Sequence, residues 1–146
     1  MSNKLVKFNK KIAGDYRMEK VANKVMKEAN DYTSWGFSVI PQEDAYLVGT
    51  SISRYDGQVM NIVFKIRREG VEISTVIPEC RYDEKFVQEV LGELSFPVEA
   101  KGTNGEILIV KSMIPFELLE SDTVMIVREM MAVMVVAMMK ILAEKR

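Results

Sequence analysis

The sequence lacks the residues on which most catalytic and metal-binding sites depend. It contains no histidine and a single cysteine, Cys80, among 146 residues. The absence of histidine excludes Ser–His–Asp and Cys–His nucleophiles in their usual forms and removes the commonest zinc ligand. A single cysteine excludes a disulfide within the chain, which is typical of a protein from a reducing compartment. We therefore expect a cytoplasmic protein that is not an enzyme, with no catalytic, cofactor-binding or metal-binding residues.

Glycine-rich phosphate loops and long hydrophobic runs are also missing. Neither G-x-x-x-x-G-K-[ST] nor G-x-G-x-x-G occurs, so two common nucleotide-binding loops are excluded. The longest uncharged apolar run, residues 130–139, is about half the ~20 residues that a membrane-spanning helix needs. The N-terminus spaces lysines among single apolar residues, whereas a secretory signal has a continuous apolar run of about 7–15 residues. We expect no association with membranes.

The charge of the chain is unevenly distributed. The net charge is −1, but residues 1–28 carry eight lysines and arginines against three acidic residues, which leaves +5 there and −6 in the remainder. Residues 1–14 are predicted to form a poorly ordered basic arm containing Lys4, Lys7, Lys10 and Lys11. Such an arm either improves solubility or attracts phosphate groups and acidic partners.

Apolar spacing predicts a helix followed by an antiparallel meander. A helix over residues 16–31, with Asp15 as a candidate cap, has one apolar stripe formed by Met18, Val21, Ala22, Val25, Met26 and Ala29. Apolar residues then alternate in segments 35–40, 45–54, 59–67 and 71–77, which predicts strands. Asp56-Gly57 is typical of a tight hairpin, and such short connections require antiparallel neighbours.

Two further helices and a hairpin complete the predicted fold. Asp83 is expected to cap a helix over residues 83–94, and Asn104-Gly105 is typical of a two-residue hairpin turn. The last helix is predicted over residues 122–145, with Ser121 or Asp122 as its cap. The fold class is therefore α+β. Residues 15–146 are expected to form a single domain in the order α-β(3–4)-α-β-β-α, with helices packed on one antiparallel sheet of five to six strands.

The last helix contains the most unusual segment of the chain. Residues 130–139 are apolar on every side of the helix, so this segment is expected to be buried on more than one side. The sheet covers a single side, and an exposed patch of this size favours association. We therefore expect a homodimer whose seam contains Met130, Met134, Val135 and Met138. The flexible thioethers suit either an irregular core or a surface that accepts different partners.

The order of these elements resembles the type III secretion chaperone-like fold, which bacterial YbjN-type regulators share. The resemblance covers about residues 16–145 and depends on element order and spacing, from the opening helix and Trp35-Gly36-Phe37 to the helix after Ser121. Proteins of the secretion-chaperone type are typically acidic dimers that hold an unfolded protein segment in hydrophobic surface grooves, and they are not enzymes. This chain differs from them in its basic arm and its nearly neutral charge.

The resemblance implies a chaperone- or adaptor-like, protein-binding homodimer that holds a peptide or protein partner. By the same analogy, a partner groove lies between the first helix and the sheet and contains Val21, Val25 and Met26. The alternative is a nucleic-acid-associated protein that uses its basic arm.

Two small groups near the second helix have a chemical and a structural interpretation. Cys80 is either a reactive thiol, because a helix N-terminus and the neighbouring Arg81 lower a thiol pKa, or a small loop residue. Glu79, Asp83 and Glu84 either bind a hard cation or stabilise the start of the helix. The structural interpretation is preferred for both groups.

Basic and aromatic residues of the predicted strands give a third such choice. They form either a sheet face for single-stranded nucleic acid or an ordinary exposed face, and the second is preferred because no RNA-recognition signature is present. The residues concerned are Tyr46, Tyr55, Lys65, Arg67, Arg68 and Lys111.

Overall fold

The computed structural model describes residues 16–50, 53–55, 58–78, 82–94, 98–103 and 105–144. The predicted features outside these ranges are the arm at residues 1–14, Asp15, Asp56, Gly57, Glu79, Cys80, Arg81 and Asn104. Within the described ranges the elements are α1 (Tyr16–Tyr32), β1 (Phe37–Pro41), β2 (Tyr46–Thr50), β3 (Ser53–Tyr55), β4 (Gln58–Met60), β5 (Ile62–Ile66), β6 (Gly70–Pro78), α2 (Glu84–Gly92), β7 (Val98–Thr103), β8 (Glu106–Pro115), α3 (Phe116–Ser121) and α4 (Thr123–Glu144).

Six strands form one antiparallel sheet in the order β1-β2-β5-β6-β8-β7. β3 and β4 form a separate two-stranded ribbon between β2 and β5. The predicted α+β class, with helices packed on an antiparallel sheet, is confirmed. The sheet has six strands, which is the upper end of the predicted number.

Alternate residues of the sheet point toward the helices. In β6, Val71, Ile73, Thr75 and Ile77 are buried, as their spacing predicts. The buried apolar residues of the sheet and of all four helices belong to one hydrophobic cluster. The described part of the chain therefore has two layers, with the helices on one face of the sheet and the core between the layers.

A side chain of α1 fixes the first strand to the helix layer. The side-chain amide nitrogen of Asn30 donates to the carbonyl oxygen of Phe37 (3.1 Å), and its side-chain oxygen accepts from the backbone N–H of Phe37 (2.6 Å). Thr50 in β2 donates its hydroxyl to the carbonyl of Trp35 (2.9 Å). These bonds satisfy backbone groups in the turn between α1 and β1, where Gly36 has a positive φ of 79°.

The hairpin predicted between segments 45–54 and 59–67 is interrupted. The sequence predicts continuous strands over residues 45–54 and 59–67, whereas the structure divides them into β2 and β3 and into β4 and β5. Gly49 pairs with Val63 and Ser53 pairs with Met60, so the pairing is offset by one residue between the sheet and the ribbon. An extra residue on one strand is a β-bulge, which bends the strands and separates the ribbon from the sheet.

The helix caps agree with the sequence at both described positions, whereas one short helix was not predicted. The Asp83 carboxylate accepts a hydrogen bond from the backbone N–H of Phe86 (3.1 Å), so Asp83 caps α2 as predicted. α3 was not predicted, because six residues after Pro115 give too short a pattern to recognise. The carbonyl of Asp122 accepts the N–H of Ile126 (3.0 Å), which places Asp122 at the start of α4.

Candidate functional site

Three of the four residues predicted for a dimer seam lie within the core of one chain. Met130 and Met134 are 0% exposed, Met138 is 2% exposed and Val135 is half-buried. α4 packs against α1, α2, α3 and the strands β6 and β8. The three methionines are therefore core residues, and their apolar character gives no reason to place a second subunit against them.

The predicted partner groove between α1 and the sheet is filled by its own residues. Val21 and Val25 are 3% and 0% exposed, and Met26 is half-buried and packed against the same core. α1 lies directly against β1, β2 and α4. These three side chains thus hold α1 on the sheet, and a partner has no access to Val21 or Val25 in this structure.

An open groove lies instead on the outer side of α4. Its volume is about 790 Å³, within the range of roughly 300–1,000 Å³ that is usual for binding sites. We name it the α1–α4 groove, and it is lined by Lys24 and Tyr32 of α1 and by Ser121, Asp122, Thr123, Val124, Met125, Arg128, Glu129 and Ala132 from the end of α3 and the first half of α4.

Three large apolar side chains are exposed in this groove. Met125 is 61% exposed, Val124 is 45% exposed and Tyr32 is 44% exposed. Met125 and Ala132 lie on the same side of α4, because a separation of seven residues is close to two helical turns. The groove therefore has an apolar strip along its length, contributed mainly by the outer side of α4.

The two edges of this strip carry opposite charges. Arg128 is three residues after Met125 and lies to one side of it, whereas Asp122 and Glu129 lie to the other side. Lys140 is on the side of Glu129 and forms an ion pair with Glu93 at the end of α2 (3.5 Å), so this acidic edge faces α2. Arg128 and Lys24 then form the basic edge, which faces α1.

An ion pair joins α1 to α3 beside the basic edge. The Nε of Arg17 donates to one carboxylate oxygen of Glu120 (2.9 Å), and a terminal nitrogen of Arg17 contacts the other oxygen. The side-chain hydrogen bond from Arg17 lowers the pKa of Glu120, and the charges of Arg17, Lys20 and Lys24 act in the same direction against partial desolvation. The Arg17 guanidinium also lies over the ring of Phe116, 5.7 Å from its centroid.

The acidic residues near α2 have structural roles. Asp83 is its N-cap, and the carboxylate of Glu84 accepts a hydrogen bond from the side chain of Gln88 (3.0 Å). In the part of the chain that the structure describes, no three His, Cys, Asp or Glu side chains are placed to hold a metal ion.

The basic and aromatic residues considered for a nucleic-acid face do not all lie on one face of the sheet. Tyr46 and Lys111 are 3% and 7% exposed on the face that carries the helices. Lys65 belongs to the opposite face, because it lies between the buried residues Phe64 and Ile66 in the alternating pattern of β5. These basic and aromatic residues are therefore divided between the two faces. Among the described helices, none has the length and apolarity needed to cross a bilayer.

Sequence patterns did not identify the groove residues. Val124 and Met125 are apolar but fall outside the spacing of the buried residues Val127, Met130 and Met134. This difference in spacing was the sequence feature that could have indicated their exposure. Tyr32 lies at the last position of α1, where apolar spacing gives no information. No protein-family model, curated protein or solved structure matches this chain.

Proposed function

We propose that the protein is a non-enzymatic binding module that holds a short segment of a partner protein in the α1–α4 groove. The observation that carries this proposal is the exposure of Tyr32, Val124 and Met125 along one concave surface with charged edges. Exposed apolar side chains with a polar rim are typical of protein interaction sites. The chaperone- or adaptor-like role follows from the fold resemblance, and both this role and the homodimer are part of the proposal.

The opposite charges of the two edges define the partner. An amphipathic segment places an apolar side chain against Met125 and carboxylates on the basic edge, where the planar guanidinium of Arg128 binds a carboxylate through two hydrogen bonds. Asp122 and Glu129 repel carboxylates on the other edge, so acidic groups are expected on one side of the segment only. The flexible thioether of Met125 accommodates apolar side chains of different shapes.

A displayed peptide library tests the proposal without knowledge of the natural partner. Peptides are selected on the immobilised chain, and those that also bind a Met125→Glu variant are discarded. We expect the remaining peptides to share an apolar residue with acidic residues on one side. Their affinities are then measured by calorimetry.

Two methionines of α4 provide matched variants for this measurement. Met125→Glu introduces a charge into the groove and is expected to weaken peptide binding at least about tenfold, equivalent to about 1.4 kcal/mol. Met139→Glu makes the same change at a side chain that is 46% exposed and does not line the groove, and it is expected to leave the affinity unchanged. Equal losses in the two variants, or selected peptides without the acidic and apolar pattern, would contradict the proposal.

A further inference from the structure

The face of the sheet that points away from the helices carries apolar side chains on five of its six strands. Ile40, at the edge, is 52% exposed, and five other apolar side chains on this face are half-buried. These five residues belong neither to the core cluster nor to the side chains packed against it, so they lie on the opposite side of the sheet from the helices. They are Leu47, Val63, Val76, Leu108 and Val110. An antiparallel sheet with one face in water normally has polar residues there, so this face is unusually apolar.

Small and large side chains alternate across the middle of this outer face. The pairings place Gly49, Val63, Ser74 and Val110 side by side on β2, β5, β6 and β8. The row therefore reads small, large, small, large. One row further along the strands, Lys65 on β5 is paired with Glu72 on β6.

We propose that a second copy of this chain stacks on the outer face, with a two-fold axis that runs along the strands midway between β5 and β6. This rotation places Gly49 against the partner's Val110 and Ser74 against the partner's Val63, so each small residue meets a large one. It also places Lys65 against the partner's Glu72. The outer face is complementary to itself under this operation, as a two-fold interface requires.

The twist of the sheets limits where this correspondence holds. Stacked sheets are rotated by about 30° relative to each other, so facing residues match best close to the axis. Val63, Lys65, Glu72 and Ser74 are on the two strands next to the axis and form the centre of the interface. Ile40 lies on an edge strand and contributes least.

The area of the outer face is sufficient for a weak dimer. Six strands about 4.8 Å apart and five residues at about 3.3 Å each give roughly 480 Å² for one copy. Two copies then bury roughly 1,000 Å², which is near the lower limit of specific interfaces. We therefore expect a dissociation constant on the order of micromolar, and a dimer that dissociates on dilution.

Pairing through the sheet edges is disfavoured. β1 is a five-residue strand that ends in Pro41, and β7 carries the outward charges of Glu99 and Lys101. Short strands, proline and charged residues are features that prevent edge-to-edge pairing. Two copies are therefore expected to associate by stacking their outer faces, which buries the apolar side chains there.

The first test compares the same substitution on two surfaces. Val63→Lys places a charge at the centre of the proposed interface, and Val136→Lys places it on the exposed side of α4, where Val136 is 44% exposed. Light scattering of the full chain across micromolar concentrations is expected to show a dimer for wild type and for Val136→Lys. Val63→Lys is expected to raise the dissociation constant at least about a hundredfold, because like charges and unpaired polar groups are then buried together. Circular dichroism verifies that each variant is folded.

The second test uses charge reversal in two separate chains. Lys65→Glu brings carboxylates together across the axis and Glu72→Lys brings ammonium groups together, so each variant alone is expected to be monomeric. In an equimolar mixture the two reversed positions face each other with opposite charges, and so do the two unchanged positions, because positions 65 and 72 are both acidic in the first chain and both basic in the second. A dimer that forms only in the mixture supports the proposed axis. Effects within one chain do not produce this result.

The remaining outcomes overturn the proposal. They are a wild-type chain that is monomeric at every concentration, a mixture that stays monomeric, and a dimer broken by Val136→Lys but not by Val63→Lys. Occupation of the outer face by residues 1–15 of the same chain would appear as the first outcome, with a dimer regained when these residues are deleted. The proposal deepens the homodimer of the proposed function but is independent of the groove. Peptide binding by a monomeric Val63→Lys variant would show that the binding role persists when dimerisation is lost.

Discussion

Replacing Met134 with alanine measures how strongly the chain buries its own last helix. Met134 is 0% exposed in the centre of α4, whereas Met139, a little more than one turn later, is 46% exposed. The substitution removes the same atoms at both positions. A difference between the two variants therefore reports the surroundings of each side chain.

The expected difference is large. Truncation of a fully buried methionine to alanine costs about 2–5 kcal/mol. About 3 kcal/mol is expected for Met134, because α4 packs against the sheet and three helices and this packing limits collapse around the cavity. Truncation of Met139 removes atoms that already contact water and is expected to change stability by less than about 0.5 kcal/mol. With a urea dependence of about 2 kcal/mol per molar, the unfolding midpoint falls by about 1.5 M for Met134→Ala and by less than about 0.3 M for Met139→Ala.

Urea unfolding followed by circular dichroism at several protein concentrations is the appropriate assay. A loss below about 1 kcal/mol for Met134→Ala, or equal losses at the two positions, would refute the burial of this side chain within the chain. A loss that grows as the protein concentration rises would indicate that a second subunit covers Met134 instead, because the substitution would then remove a contact that only the dimer makes.

Four further predictions concern single interactions. Asp83→Ala removes the cap of α2 and should lower the free energy of unfolding by about 1 kcal/mol in urea, whereas Asp83→Asn should retain most of it. Asn30→Ala leaves the paired N–H and carbonyl of β1 without their partner and should cost about 1–3 kcal/mol in the same assay, more than substitution of an exposed residue. The pKa of Glu120, measured by NMR, should lie below the ordinary value of about 4.3, and Arg17→Gln should raise it. Because the pKa is lower in the folded state, any stability from this exposed pair is present above the pKa of the unfolded state. It is lost as the pH falls through the pKa of the folded state. If the arm at residues 1–14 binds duplex DNA through its four lysines, log K should fall with log salt with a slope of about −3.6 and binding should disappear on deletion of the arm, whereas a salt-independent affinity would exclude this role.

The inner face of the sheet was predictable because burial alternates strictly along the strands. Val71, Ile73, Thr75 and Ile77 were assigned to one side from spacing alone, and all four are buried. The register offset that separates the β3–β4 ribbon was not predictable, because a single additional residue leaves the apolar pattern of each strand almost unchanged. α3 is too short to have a recognisable period.

The candidate site was less predictable than the fold. An apolar segment on all sides of α4 indicates that the helix is covered, but it does not identify what covers it. α1, α2, α3 and the sheet of the same chain pack against α4 and Met130, Met134 and Met138 are buried, whereas Val136 and Met139 of the same segment remain exposed. The α1–α4 groove depends on the relative placement of two helices separated by most of the sequence, and local patterns do not encode that placement.

The order of the strands has a consequence for how the protein folds. β1, β2, β5 and β6 pair with neighbours that are close in sequence, whereas β6 reaches β8 only after α2 and β7 have been added, and α4 follows every strand. Contacts between distant segments form slowly, since a long loop must close before they contribute. We therefore expect the meander to form first and α4 to dock after the rate-limiting step. Met134→Ala should then accelerate unfolding and leave the refolding rate nearly unchanged, and a variant that refolds more slowly would instead place α4 in the folding nucleus.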